Sequence, residues 1–402
     1  MPLDLRDPAY RIDPYPTLAR AREAEPVHRD SWGIWYVLRH ADVVAVQKDA
    51  RLGRDLRKWL GYAMVRPYLA DSALERCIEQ WMFSLDPPAH TRLRKLVARA
   101  FTPRALEAVR PFIVAAANEL LDELEASGRP EAVELMTAFA QAFPVRVIAH
   151  ILGLSIDDYA ALKAWSDAAI IVVEPTARRK QMQAADAAVI EMMQYLRAQA
   201  ARRRTTPGND VISTLLRAAE DGDTLSEEEL ISQLVLMFVA GHETTANLIG
   251  NGMLALARHP AELERLRADP SLMPAAIEEM LRYDPSANTN ARAAHVELEI
   301  GGITIPAGSL VINMLGAANR DPDVFSDPDR FDVGRAPNPH VSFGGGIHFC
   351  LGAQLARIEG AVAFEALLAR FASIEVDEAG VLWKNLINVR GLESLPLRVG
   401  WR

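Results

Sequence analysis

The chain has 402 residues, half of them hydrophobic and 24% charged, an ordinary globular composition with enough apolar side chains for a large core. Lysine and arginine number 44 against 53 acidic residues, and this net charge of −9 argues against nucleic-acid binding as the main function. Two cysteines cannot build a disulfide framework, which fits a reducing cytoplasm.

Met1 to Tyr10 has no apolar stretch of the kind a signal peptide needs. The longest apolar run, Leu234 to Ala240, is too short to span a bilayer. The sequence therefore predicts a soluble, cytoplasmic protein. Glycine and proline are dispersed, without linker or repeat, so a single domain over residues 1–402 is expected.

Helical patterns dominate. Asp13-Pro14 signals a helix start, with Asp13 as N-cap and Pro14 in the first turn. Trp32 to Leu38 reads as a strand. Arg51 to Phe83 is irregular. Asp86-Pro87-Pro88 opens a helix to about Ala100, and Thr102-Pro103 another to about Ser127. Long helices are expected over Leu135 to Leu152 and Pro175 to Arg204. Ser226 with Glu229 forms a capping box, starting a helix to about His259. Met273 to Tyr283 is helical. Short strands follow from His295 to Asn313, with Gly301-Gly302 as a hairpin turn. Ala317 to Gly346 reads as a long loop, the kind that is usually functional. A last helix is expected from Cys350 to about Phe371, then weak strands.

The stretch Phe343-Gly-Gly-Gly-Ile-His-Phe-Cys350-Leu-Gly352 sets a cysteine in a glycine-rich turn at a predicted helix start. Backbone N–H groups and the helix dipole there favour a thiolate. Gly344, Gly345 and Gly346 permit a sharp turn and close approach to a flat group. Phe343 is placed to cover the sulfur. A zinc reading of His348 and Cys350 would need two further ligands at suitable spacing, and Cys77 is the only other cysteine.

The pattern Phe343, Gly346, Cys350, Gly352 resembles the haem-binding loop of the cytochrome P-450 monooxygenases, and the resemblance covers nearly the whole chain. It implies a mainly α fold with a small β part: a single triangular cytochrome P-450 domain with a long central helix over the haem. It implies haem b with Cys350 as axial thiolate ligand, electron-rich enough to favour O–O cleavage.

Ala240-Gly241-His242-Glu243-Thr244-Thr245 falls in the middle of the helix from Ser226. Polar residues and a glycine in an otherwise apolar helix mark a local inconsistency of the kind found at functional sites. Gly241 would make room for a flat ligand or O2, and threonine hydroxyls can bond back to carbonyls and open the helix. The segment resembles the family's acid–alcohol pair, here Glu243 and Thr244, which delivers protons to dioxygen. Glu279 and Arg282 share a helix face. The resemblance makes them a buried structural pair holding the loop before the cysteine, with Arg330 of Pro328-Asp-Arg-Phe331 as third member. It also assigns His90, Arg94, Arg292 and His348 to the two haem propionates, for which arginine suits bidentate bonding.

Between Pro285 and Arg292, where the family usually has apolar residues, stand Asn288, Thr289 and Asn290. Their amides are expected to hydrogen-bond a polar group of the substrate. Further pocket candidates are Trp59, Tyr62, Ile170 to Val173, Val239, Ala240, Leu386 and Ile387. Arg92, Lys95, Arg99 and Arg357 could present a positive patch to an acidic ferredoxin, and a solvated charged face is the alternative. The chain carries no flavin or iron–sulfur segment, so electrons would come from NAD(P)H through a ferredoxin reductase and ferredoxin. The implied activity is insertion of one oxygen atom from O2, by hydroxylation or epoxidation, into a mainly apolar small molecule of the secondary-metabolite, terpenoid or steroid, or fatty-acid-like kind. A peroxide-driven haem-thiolate hydroxylase and a non-enzymatic haem sensor are the rival readings.

Overall fold

The computed structural model describes residues 3–5, 7–65, 72–174, 178–218 and 225–402. Its centre is the helix Glu227–Arg258, whose N-terminus carries the expected capping box. Ser226 Oγ accepts from Glu229 N at 3.1 Å, and Glu229 Oε2 accepts from Ser226 N at 2.8 Å. The helix is buried nearly throughout, because its apolar residues encircle the axis rather than forming one stripe. Helices Ala142–Leu152, Arg179–Thr205, Met273–Tyr283 and Ala353–Arg370 pack around it, and their side chains form the main core.

The β part is small. Five short strands lie in the order Val27–Arg29, Trp35–Val37, Leu310–Met314, Thr289–Ala294, Leu52–Gly53. Only the pairing of Trp35–Val37 with Leu310–Met314 is parallel. A three-stranded sheet joins Ala132–Glu134, Pro396–Trp401 and Phe371–Val376. Gly301 and Gly302, at φ 56° and 81°, turn the hairpin between Leu298–Ile300 and Ile303–Ile305.

Several expectations shift. The helix after Asp13 starts at Tyr15 with Pro14, not Asp13, as its N-cap, and Asp13 accepts from Tyr15 N at 3.2 Å from one residue further out. Leu135 to Leu152 is not one regular helix: a π-helical turn over Met136–Ala140 precedes Ala142–Leu152. Pro144, which has no N–H to donate, lies just inside the second segment. Pro175, the expected start of the next helix, lies outside the described residues, and the described helix is Arg179–Thr205. The strand Thr289–Ala294 begins six residues before the expected His295. After Thr289 its three alanines, Asn290 and Arg292 lack the β-branched signature, and pairing on both edges makes it a strand. The last helix begins at Ala353, not at Cys350.

Candidate haem site

The cysteine loop closes on itself: Cys350 N donates to Phe343 O at 2.9 Å. Gly344 and Gly346 sit at φ 69° and 62°, where a side chain would be strained. At Gly346 a Cβ would also lie 2.3 Å from Gln47 O, so this glycine lets the loop lie against the helix His40–Lys48. The close approach is to protein backbone as well as to any ligand. Cys350 precedes the Ala353–Arg370 helix, whose N-cap is Gly352. Burial pushes the thiol up, while the Gly352 N–H and the charges of Arg94 and Arg357 pull it back. The residue nevertheless has an exposed surface, so its surroundings enclose it without sealing it. The guanidinium of Arg357 stacks over the Phe343 ring at 4.5 Å.

A cluster of arginine and histidine side chains, buried and half-buried, stands beside this loop. His90 and His348 face each other with ring centroids 4.2 Å apart. His90 is 2% exposed, and neither of its ring nitrogens has a hydrogen-bond partner. Arg94 donates to Phe349 O at 2.6 Å. Arg292 is buried on the strand Thr289–Ala294, and burial pushes its pKa down to about 10. His348 is pushed down to about 2 by burial and by His90, Arg54, Arg292 and Arg94. The structure thus joins all four predicted propionate partners electrostatically.

Arg54, which the sequence reading missed, belongs to the same electrostatic cluster. Arg54 is buried, donates to Phe83 O at 3.1 Å and Ala291 O at 2.9 Å, and stacks on the Phe83 ring. Burial, then Arg292, lowers its pKa well below the usual range. Among the described residues, Asp86 is the carboxylate that offsets Arg54, His90 and Arg292. Its oxygens are shared with Arg54 N, Lys58 and His295. Buried like charges with unpartnered donors are costly unless an anion accompanies them. The donor set therefore fits a group bearing two carboxylates, as haem does.

The central helix contributes the other candidate surface. Ala240 is exposed and Gly241 and Thr244 half-buried, while the residues before and after are buried. Val239 is buried at 3%. The backbone stays helical through Thr245, so the expected local opening is not seen. Thr244 Oγ1 donates to Ala240 O at 2.8 Å, and Thr245 Oγ1 to Gly241 O at 3.3 Å. Gly241 corrects the sequence reading: a Cβ there would meet Ile148 at 3.1 Å. Its bareness serves packing on the helix Ala142–Leu152 rather than space for a ligand. Glu243 is buried, and its Oε1 accepts from Lys384 Nζ at 2.5 Å and Asn247 Nδ2 at 3.2 Å.

Glu279 and Arg282 form a fully buried pair at 2.7 Å. Arg282 donates to Asn319 O, Pro328 O and Arg330 O, at 2.9, 2.8 and 3.1 Å. The third charged member is Arg335, whose Nε lies 3.1 Å from Glu279, and not the side chain of Arg330. Arg330 offers only its carbonyl, an exchange that needs the loop path to be known.

Of the polar residues expected to meet substrate, Thr289 and Asn290 are engaged within the protein. Asn290 Oδ1 accepts from Asn313 Nδ2 at 2.7 Å across the sheet. Thr289 Oγ1 donates to Asn388 Oδ1 at 2.5 Å. Asn288 lies against Gly316 and Tyr10. Thr289 and Asn290 are thus committed within the protein, whereas Asn288 Oδ1 is buried without a hydrogen-bond partner. Ile387 N and Asn388 N donate to the buried Glu174, which ties the C-terminal loop to the turn Ile170–Val173. Tyr62 hydroxyl reaches Glu75 at 3.4 Å, and the ring of Trp59 packs on Gly61. Arg92 is paired with Glu229 and Arg357 with Glu278, so two of the four expected docking cations are engaged internally.

These features define a haem-thiolate type of fold and site, and the comparisons agree. The family model for cytochrome P450 matches residues 62–388. Cytochrome P450 107B1 of Saccharopolyspora erythraea is 42% identical, over 98% of this chain and 97% of its own. The polyketide biosynthesis cytochrome P450 PksS of Bacillus subtilis is 38% identical, over 96% of both chains. The solved structure of P450BioI in complex with a hexadec-9Z-enoic acid-ligated acyl carrier protein superposes with TM-score 0.90 at 36% identity, covering 98% of this chain and 100% of that one. The chain belongs to the cytochrome P450 family, whose members are oxidoreductases that bind haem through an axial cysteine thiolate. Among the described residues no helix is long and apolar enough to cross a membrane.

Proposed function

We propose that the protein is a cytoplasmic monooxygenase that places an oxygen atom from O2 into an apolar chain or ring of the polyketide or fatty-acyl class. Electrons would come from a separate ferredoxin. The observation that carries the reading is the convergence of Arg54, His90, Arg94, Arg292 and His348, with both His90 ring nitrogens unpartnered, beside a half-enclosed cysteine. It is built for a flat dianion with a thiolate ligand. The names of the relatives, one in polyketide biosynthesis and one structure with an acyl carrier protein, support the substrate class.

In this account haem, when bound, supplies the activation of O2 and the oxidation itself. Cys350 ligates it, and the Gly352 N–H and Arg94 steady the sulfur's charge. Arg54, Arg94, Arg292, His90 and His348 hold the propionates. Ala240, exposed, and Thr244, half-buried, are the central-helix residues that would face the haem. Thr244 hydroxyl, now bonded to Ala240 O, would hold a proton at the reacting side, and Glu243, the next residue of the buried helix, would renew it. Glu279, Arg282 and Arg335 take no part beyond fixing the loop before Cys350.

The test is an optical titration of the haem-loaded protein with free fatty acids, acyl groups on a carrier protein, and macrolactones, followed by product analysis. A low-to-high-spin shift with one of these, and an oxygenated product dependent on NAD(P)H, reductase and ferredoxin, is expected. Turnover driven by peroxide but not by the redox chain would overturn the ferredoxin assignment.

A further inference from the structure

His242 lies between Gly241 and Glu243 and is 1% exposed. Its Nδ1 is 3.1 Å from Ser166 Oγ and 3.4 Å from Phe238 O. A bond to that carbonyl would place a proton on Nδ1 and leave Nε2 as the nitrogen that takes up and releases one. Nε2 is buried without a hydrogen-bond partner. It lies 3.6 Å from Asp167 Oδ1 on one side and 3.9 Å from Glu243 Oε2 on the other. The Asp167 side chain is 44% exposed and that of Glu243 only 5%. The three residues thus step from solvent to the buried acid. Glu243 Oε1 is already held by Lys384 and Asn247, so Oε2 is the oxygen turned toward this path.

A packing histidine would account for burial but not for an unpartnered nitrogen aimed between two carboxylates. A cation site would account for the cluster, which brings the three ligand atoms within 4.8 Å of one another. Lys163 on Asp167 and Lys384 on Glu243 oppose that, since each already places an ammonium there.

We propose that His242 is a relay residue that reloads Glu243 with protons from the surface carboxyl of Asp167. The inference rests on the reading of Glu243 as the proton source for Thr244. A proton passes from the Asp167 carboxyl, itself resupplied by solvent, to Nε2, giving an imidazolium whose Nδ1–H stays on Ser166 or Phe238. The same Nε2 proton then moves to Glu243 Oε2, and neutral imidazole is restored. No bond to carbon changes and no electron is transferred. The charges that face His242 are Asp167 and Lys163 from helix Tyr159–Ala169, Glu243 on its own helix, and Lys384 from the C-terminal segment. Arg146 of helix Ala142–Leu152 influences Tyr159 and is itself paired with Glu119 and Glu123. Burial alone would raise the pKa of Asp167, and His242 and Lys163 together hold it below the usual range.

The test combines a spectroscopic and a turnover readout. The haem-loaded, carbon monoxide-bound protein is labelled with 15N-histidine, and the His242 resonance is assigned from its loss in His242→Phe. Its titration midpoint should fall in both Asp167→Asn and Glu243→Gln, because each removes a negative neighbour. Product formed per O2 consumed should drop several-fold in His242→Phe. In Asp167→Asn the alkaline limb of that coupling should move to lower pH. Asp167 is at the surface, so its variant serves even where His242→Phe fails to fold. A midpoint unmoved by both substitutions overturns the proposal. So does unchanged coupling in Asp167→Asn and His242→Phe when Glu243→Gln uncouples, and the reading of Glu243 then stands. Full coupling in Glu243→Gln would remove that underlying reading as well.

Discussion

Replacing Glu279 by glutamine keeps its size and removes one charge from a site where every neighbour depends on it. Glu279 Oε1 accepts from Arg282 Nη2 at 2.8 Å, Asp332 N at 2.9 Å and Arg335 Nε at 3.1 Å. Oε2 accepts from Arg282 Nε at 2.7 Å and Asn338 Nδ2 at 3.1 Å. Glu279 and Arg282 side chains are 0% exposed and Arg335 10%, so solvent cannot take over. The glutamine N–H₂ would point donors at donors. Removing one partner of a buried pair costs about 3–5 kcal/mol, and two guanidinium groups put Glu279→Gln at the upper end. Domains hold about 5–15 kcal/mol in total, so a large share of stability is at stake. Urea unfolding of the haem-loaded variant, followed by tryptophan fluorescence, measures it. Haem retention should fall too, because Arg282 and Arg335 fix the segment that leads to Cys350. A loss under about 1 kcal/mol would refute the claim that this charge network organises the loop.

Three further outcomes follow from the geometry. Arg292→Ala should weaken haem retention about 10- to 100-fold, measured by haem transfer to an acceptor globin, because a charged hydrogen bond contributes about 1.5–3 kcal/mol. The haem-free variant should be no less stable than its parent, since Arg292 destabilises its neighbour Arg54; equal losses of haem affinity and apoprotein stability would contradict this. Thr244→Ala should keep O2 consumption and release peroxide in place of product, and full product yield would remove Thr244 from proton delivery. Burial would raise Glu278, but Arg357 and His340 bring it from 4.5 down to about 2. The pair therefore stabilises the fold above pH 4.5, and that contribution drains away as pH falls toward 2. The full difference corresponds to roughly 3 kcal/mol. Arg357 is 37% exposed, and screening reduces the effect to about 1–2 kcal/mol. Glu278→Gln should thus lower the urea midpoint at neutral pH, with the gap closing in acid; a gap independent of pH would refute the assignment.

What the sequence made legible was local chemistry. The capping box at Ser226, the Gly301-Gly302 hairpin and the glycine loop around Cys350 are each set by residues within ten positions of one another. What it hid was contact across the chain. Arg54 enters the cationic cluster only because Leu52–Gly53 pairs with Ala293 and Ala294, which brings its guanidinium to Ala291 O. Arg335 reaches Glu279 from 56 positions away along an irregular loop, so the nearer Arg330 was the natural candidate. Lys384 and Asp167 flank Glu243 from opposite ends of the fold, and neither carries a motif. Gly241 and Asn290 misled for the complementary reason. A glycine or an amide at a suggestive position is explained by a neighbour the sequence does not show, Ile148 in one case and Asn313 in the other.

The central claim is that Cys350 thiolate is the ligand of a haem held by the cationic cluster. The direct measurement is the carbon monoxide difference spectrum of the reduced protein, compared with that of Cys350→His. The account predicts a red-shifted, thiolate-type Soret band in the parent and its loss in a variant that still binds haem. A thiolate-type band that persists in Cys350→His, or is absent from the haem-loaded parent, would contradict it.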